Sequence, residues 1–192
     1  LADGDRKFKS PEPHVLYTKL FIRLEHLQNL FLIERLLHKI HPKLAQDNLI
    51  EICLDIVSVT VTFWTRNDCL VGMEGDHEWL IMGYAVPAAV ILCENILQAQ
   101  NHSSSIPPTP ISAIIRQLSL LGAFLEWLLL RVPCTDRCSK TRNLIMKVLD
   151  QVLNHPSHIT DGIPQDSESQ KSTTQIIHLQ DLKDIDTFNW LK

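Results

Sequence analysis

Residues 15–40, VLYTKLFIRLEHLQNLFLIERLLHKI, run without a glycine or proline and are rich in strong helix formers. Their apolar residues fall on two faces. Leu20, Leu24, Leu27 and Phe31 form one stripe, while Ile33, Leu37 and Ile40 lie on another. A helix of that kind is expected to pack against several neighbours. Outward from this stretch, Pro42, the Pro107-Pro108-Thr109-Pro110 cluster, Pro133 and Pro156 divide the chain into segments of helix length.

The second segment, about 48–66, opens with Asn48 and Glu51 at capping-box spacing. Leu49, Ile52, Ile56, Val59 and Phe63 then recur at helical spacing, opposite Glu51, Asp55, Ser58 and Thr62. Residues 57–63, VSVTVTF, also alternate with period two and are β-branched, which argues for a strand. The helical pattern covers the longer window, so helix is preferred. Asp76 is placed to cap a third helix reaching about Gln100, apolar on most sides and therefore central; Pro87 inside it removes a backbone donor and predicts a kink.

The fourth helix is expected to start at Thr109-Pro110 as cap and first residue. Ile111, Ile114, Ile115, Leu118, Leu121, Leu125, Leu128 and Val132 follow in register, against a polar side of Arg116, Ser119, Ala123 and Glu126. A fifth, about 136–154, sets Ile145, Val148, Leu149 and Val152 against Arg137, Lys140, Lys147 and Gln151. The fold expected is all-α, an irregular antiparallel array of about five main helices over 15–154, preceded by a flexible segment 1–14. Residues 155–192 are expected to be a disordered acidic tail, with six acids against three lysines and a Ser, Asp, Gln and Thr composition.

At 192 residues, 45% hydrophobic and 21% charged, the composition is that of one globular domain. A net charge of −4 opposes a phosphate-gripping role, which needs a basic face. Cys53, Cys69, Cys93, Cys134 and Cys138 form no regular framework. Together with the absence of a basic-then-apolar leader, they point to a reducing compartment. The most apolar uncharged run, Trp79 to Cys93, has 15 residues and falls short of a membrane span.

No glycine-rich phosphate loop or nucleophile elbow is present. Glu74-Gly75-Asp76-His77 matches a di-iron string once, in an expected loop, and reads better as acids complementing a helix start. His38 and His41 have ligand spacing, but helix-end histidines near the negative dipole explain them. Cys134 and Cys138 suit zinc by spacing, with His155 and His158 downstream, yet Cys138 falls on an apolar face and reads as a core thiol. Trp64, Trp79 and Trp127 read as core fillers, or as the lining of a pocket in a ligand carrier or enzyme. No catalytic, cofactor or metal residue is assigned.

One segment is more pointed. Residues 175–192, QIIHLQDLKDIDTFNWLK, mix acids with bulky apolar residues, the composition of amphipathic activation segments. Leu182, Ile185, Phe188, Trp190 and Leu191 are the partner-binding candidates, ordering in a partner's groove. The competing reading is that this end docks on its own helical body.

Residues 21–37, FIRLEHLQNLFLIERLL, resemble the RLxxLQNxFLLxRLL segment of fungal zinc-binuclear-cluster transcription factors. So do 76–80 (DHEWL) with 84–87 (YAVP), 115–120 (IRQLSL) with 125–127 (LEW), and 145–153 (IMKVLDQVL). The likeness covers about 15–154 and is to the later part of that family's helical regulatory region. It implies nuclear transcriptional regulation, with protein partners such as other subunits or coactivators and a small-molecule effector as a further ligand. The family's DNA contact is made by a six-cysteine, two-zinc cluster, and no Cys-x-x-Cys pair occurs here. The resemblance therefore implies a cluster upstream, or a remnant that has lost it, and no direct nucleic-acid contact by this chain; the short apolar run leads to the expectation of no membrane contact.

Overall fold

Helix α1 spans Pro13–Ile40 and α2 spans Pro42–Thr65, with His41 alone between them. The computed structural model describes residues 12–70, 77–101, 110–131 and 136–154, together with Leu182 and Ile185. Proline suits the first position of α2, where its missing N–H would lack an intrahelical partner anyway. The His41 N–H closes α1 on the Leu37 carbonyl at 2.7 Å. Tyr17 meets Phe63 edge-on at 5.6 Å, and Arg23 reaches Asp55 at 3.4 Å. Numbers that rise along α1 fall along α2, so the pair is antiparallel.

Helix α2 begins six residues before the expected capping box, leaving Asn48 and Glu51 inside the helix and exposed. The ambiguous stretch 57–63 is helical. Thr60 and Thr62 donate their hydroxyls to the carbonyls of Ile56 and Ser58, at 2.9 and 2.8 Å, which satisfies both polar groups within the helix. Val57, Val59, Thr60, Val61 and Phe63 are all buried, because α1, α4 and α5 surround α2. A helix enclosed on most sides shows neither periodicity cleanly, hence its strand-like appearance.

A short 3₁₀ turn, Asn67–Cys69, follows α2. Helix α3 (His77–Leu80), a π turn (Ile81–Ala85) and α4 (Val86–Asn101) then form one continuous helical run. The π turn is the structural answer to Pro87. An α-helix would ask residue 87 to donate to the carbonyl of residue 83, and proline has no proton to give. The chain widens by one residue there, and Val86 N–H bonds the Ile81 carbonyl instead.

Helix α5 (Ile111–Arg131) begins one residue later than expected, with the Pro110 carbonyl accepting from Ala113 N–H at 2.9 Å. Helix α6 is Asp136–Asn154, as the sequence predicts. Arg142 pairs with Glu126 at 3.2 Å, and a Cβ on Gly122 would lie 3.3 Å from Met146 Sδ, so α5 and α6 are antiparallel and come close at the glycine. The polar side expected for α5 (Arg116, Ser119, Ala123, Glu126) is exposed, while Ile114, Leu118, Leu121, Leu125 and Leu128 are buried. The described residues are helical throughout their elements and contain no strand, so the all-α array is the fold.

Three helices, over Gln46–Thr65, His77–Ala99 and Ile111–Arg131, are long and apolar enough to cross a membrane by length and composition. This corrects the expectation drawn from the 15-residue run, which counted only uncharged residues. Much of their apolar surface faces the interior, and Glu51, Asp55, Arg116 and Glu126 lie on their outer faces.

Cys53 and Cys93 are buried in this core, and burial pushes both thiols up, Cys93 to about 12. A raised thiol stays protonated in the folded chain while the unfolded chain ionises near pH 9, so its contribution is intact below that pH and is lost as pH rises toward 12. The unfolding free energy from urea melts should accordingly fall from pH 9 upward, by as much as about 1.4 kcal/mol per pH unit per thiol. Cys53→Ala and Cys93→Ala should flatten that slope. A midpoint that is level to pH 11 would contradict it.

Candidate interaction surface

Two aromatic groups organise the interior. Trp64 of α2 stacks on Phe124 of α5, with ring centroids 5.5 Å apart and planes within 4°, and Trp127 lies 6.5 Å from Trp64. His77, the first residue of α3, is buried and meets Phe124 and Trp127 edge-on at 5.5 and 5.8 Å. His77 is the helix start that the sequence predicts after Asp76, and it is closed over by rings. Trp127 also carries Arg131 over its face at 5.1 Å.

The second group joins α1 to the π turn. Tyr17 and Phe21 stack, Phe21 lies 6.0 Å from Trp79, and Trp79 meets Tyr84 edge-on at 5.4 Å. The Tyr84 hydroxyl donates to Glu25, and burial together with that bond pushes its ionisation well above the ordinary range. Trp64 and Trp127 are half-buried, in keeping with a filling role, whereas Trp79 is 53% exposed and corrects that expectation.

The histidine and cysteine candidates separate. His38 is half-buried and His41 exposed at the α1–α2 junction. Cys138 is fully buried as a core thiol, 3.8 Å from Glu78. Cys134, His155 and His158 lie outside the described residues, as does Glu74-Gly75-Asp76. Among the described residues no three His, Cys, Asp or Glu side chains converge on a metal-sized site.

The partner-binding candidates divide as well. Leu182 is helical and completely buried in the core cluster, with Ile185 half-buried against it. At these two positions the arrangement is that of the docked alternative. The physical reason is their i, i+3 spacing, which sets both side chains on one helical face that the apolar body can cover. Phe188, Trp190 and Leu191 lie outside the described residues, as do 1–11 and the rest of the tail.

The sequence missed a surface that the structure exposes. The second apolar stripe of α1, Ile33, Leu37 and Ile40, was expected to find a neighbour, but all three stand exposed, and Ile22 and Leu36 beside them are exposed as well. α1 packs chiefly on α2 through Leu24, Leu27 and Phe31, and its opposite side faces outward. The stripe itself was legible; which of two stripes would be covered was not. In comparisons with known families, characterised proteins and solved structures, nothing matches this chain.

Proposed function

We propose that this chain is the regulatory and interaction domain of a fungal transcription factor, acting in the nucleus through other subunits or coactivators. A small-molecule effector is a further ligand, and DNA contact falls to a zinc cluster upstream. The observation that carries this reading is where the resembling segments sit. Leu24, Leu27 and Phe31, then Leu80, Tyr84 and Ala85, then Leu118 and Leu125, then Ile145, Val148 and Leu149, all belong to one buried core. The likeness therefore lies in residues that build a body together, and that body carries an uncovered apolar face suited to protein contact. The alternative, a ligand carrier with a Trp-lined interior, has less support, because Trp64, Phe124 and Trp127 touch one another and occupy the space between α2 and α5.

Fused to a foreign DNA-binding domain in a fungal host, the chain should change reporter output several-fold and enter the nucleus. The chain alone should give no sequence-selective duplex shift at physiological salt, since its net charge is −4. An unchanged reporter with the fusion expressed in the nucleus would sink the regulatory reading. A sequence-selective shift would sink the division of labour.

A further inference from the structure

Among the described residues Trp79 is the one aromatic side chain that stands open to solvent, 53% exposed on α3. Phe21 of α1 lies 6.0 Å from it, at 29° from parallel, and backs the indole; Tyr84 meets the indole edge-on at 5.4 Å. With about half of the residue still in water, Trp79 offers an open aromatic wall. Gly83 follows four residues on, and a Cβ there would meet no atom within 4 Å, so the space over the π turn is open. Glu25 of α1 borders the same rings. It is exposed, and its Oε1 accepts the Tyr84 hydroxyl, which fixes the carboxylate beside the aromatic group. A carboxylate has acceptor sites to spare after one such bond. Lys19 and Arg23, the nearest lysine and arginine along α1, project from the other side of the helix, and Arg23 is held by Asp55. Residues 77–85 hold no lysine or arginine, and His77 is turned inward against Phe124 and Trp127.

We propose that Trp79, with Phe21 behind it and the Tyr84–Glu25 pair beside it, is a binding site for an alkylated ammonium group. A ring quadrupole attracts a cation placed over its face, and tryptophan does so most strongly. The methyl groups of an alkylated ammonium touch the indole, while Glu25 supplies the opposite charge from the side. Tyr84 acts as a positioning residue, since its hydroxyl holds the carboxylate in place. The charge also decides against other guests. An uncharged apolar group would gain the indole surface alone and would strip water from Glu25 without replacing it, a cost that a cation does not meet. An anion would be repelled by the same carboxylate. The site is a product of the irregularity at Pro87, because Tyr84 belongs to the π turn that the proline imposes. Its binding stands apart from the regulatory reading above, and the test needs only the chain.

Choline is the probe, titrated into the full 192-residue chain and followed by NMR at the indole N–H of Trp79, which is assigned by its loss in Trp79→Leu. That resonance should move and saturate in the millimolar range or below. The uncharged carbon isostere of choline, with tert-butyl in place of trimethylammonium, should bind at least about tenfold more weakly. In the variants binding is read from the choline methyl signal. Trp79→Leu should weaken it by about tenfold or more, with circular dichroism unchanged because the side chain is exposed. Glu25→Gln keeps an acceptor for the Tyr84 hydroxyl and removes only the charge; it should weaken binding by roughly three- to tenfold. A trimethyllysine peptide run beside choline tells whether the group belongs to a protein side chain or to a free compound, by which of the two binds tighter. No saturable shift at Trp79 with either probe, equal binding of the uncharged isostere, or an affinity indifferent to Glu25→Gln would each overturn the proposal.

Discussion

Phe124→Ala lowers the unfolding free energy of the helical body by about 3–5 kcal/mol, the usual range for emptying a large core site. Phe124 is completely buried and is the ring on which three others converge: Trp64 stacked, His77 edge-on and Trp127 tilted at 6.1 Å. The substitution removes the transfer free energy of the ring, leaves a cavity between α2, α3 and α5, and breaks ring pairs worth roughly 0.5–1.5 kcal/mol each. Domains of this size have about 5–15 kcal/mol in all, so the loss is a large fraction of the total. Urea unfolding followed by circular dichroism reads it directly. Phe124→Leu, which refills most of the volume, should lose less than half as much and keeps the comparison readable if the alanine variant does not fold. Tryptophan emission should shift in both, since Trp64 and Trp127 lose their neighbour. A cost below about 1 kcal/mol for Phe124→Ala, near that of an exposed site, would show that the ring is not central.

How far the sequence carried to this arrangement depended on how many sides of a helix are buried. α5 and α6 each keep a polar side, with Arg116 and Glu126 on one and Lys140 and Lys147 on the other, and both their faces and their limits were legible within a residue. α2 is enclosed, so its β-branched run imitated a strand and an interior Asn48 imitated a cap. Local chemistry resembles a helix start whenever a short polar residue precedes an apolar run; only the continuation of the backbone through 42–47 shows otherwise. Pro87 announced an irregularity, and the form it took, a π turn that aims Tyr84 at Glu25 fifty-nine residues away, depended on a neighbour that no local window contains. The candidate surface was half legible for a related reason. Both stripes of α1 were in the sequence, but being uncovered is a property of the assembled body. The tail ran the other way: composition argued for solvent, and two of its apolar residues were taken into the core.

Leu182→Asp should destabilise the helical body by about 3–5 kcal/mol or more, and this separates the two readings of the tail. Leu182 is fully buried, with Ile185 one turn on packed against the same core, although the tail around them is acidic. A carboxylate at a site with no access to water must either be desolvated or expel the segment, and both routes cost stability. Leu182→Ala tests the milder change and should cost about 2–5 kcal/mol through the cavity it leaves. Hydrogen exchange should show protection at 182–185 in the wild-type chain that is lost in Leu182→Asp, because an undocked stretch that short cannot hold a helix by itself. The activation reading of 175–192 expects the opposite. In it the segment is open until a partner arrives, Leu182→Asp leaves the urea midpoint within about 0.5 kcal/mol of wild type, and only reporter activity falls. Phe188→Ala with Trp190→Ala then completes the comparison. If docking holds, Leu182→Asp destabilises the body while a 175–192 fusion to a foreign DNA-binding domain stays silent with or without the two aromatic rings. If the fusion is active and loses its activity with the rings, while Leu182→Asp leaves stability untouched, the buried placement of Leu182 does not govern the chain in solution.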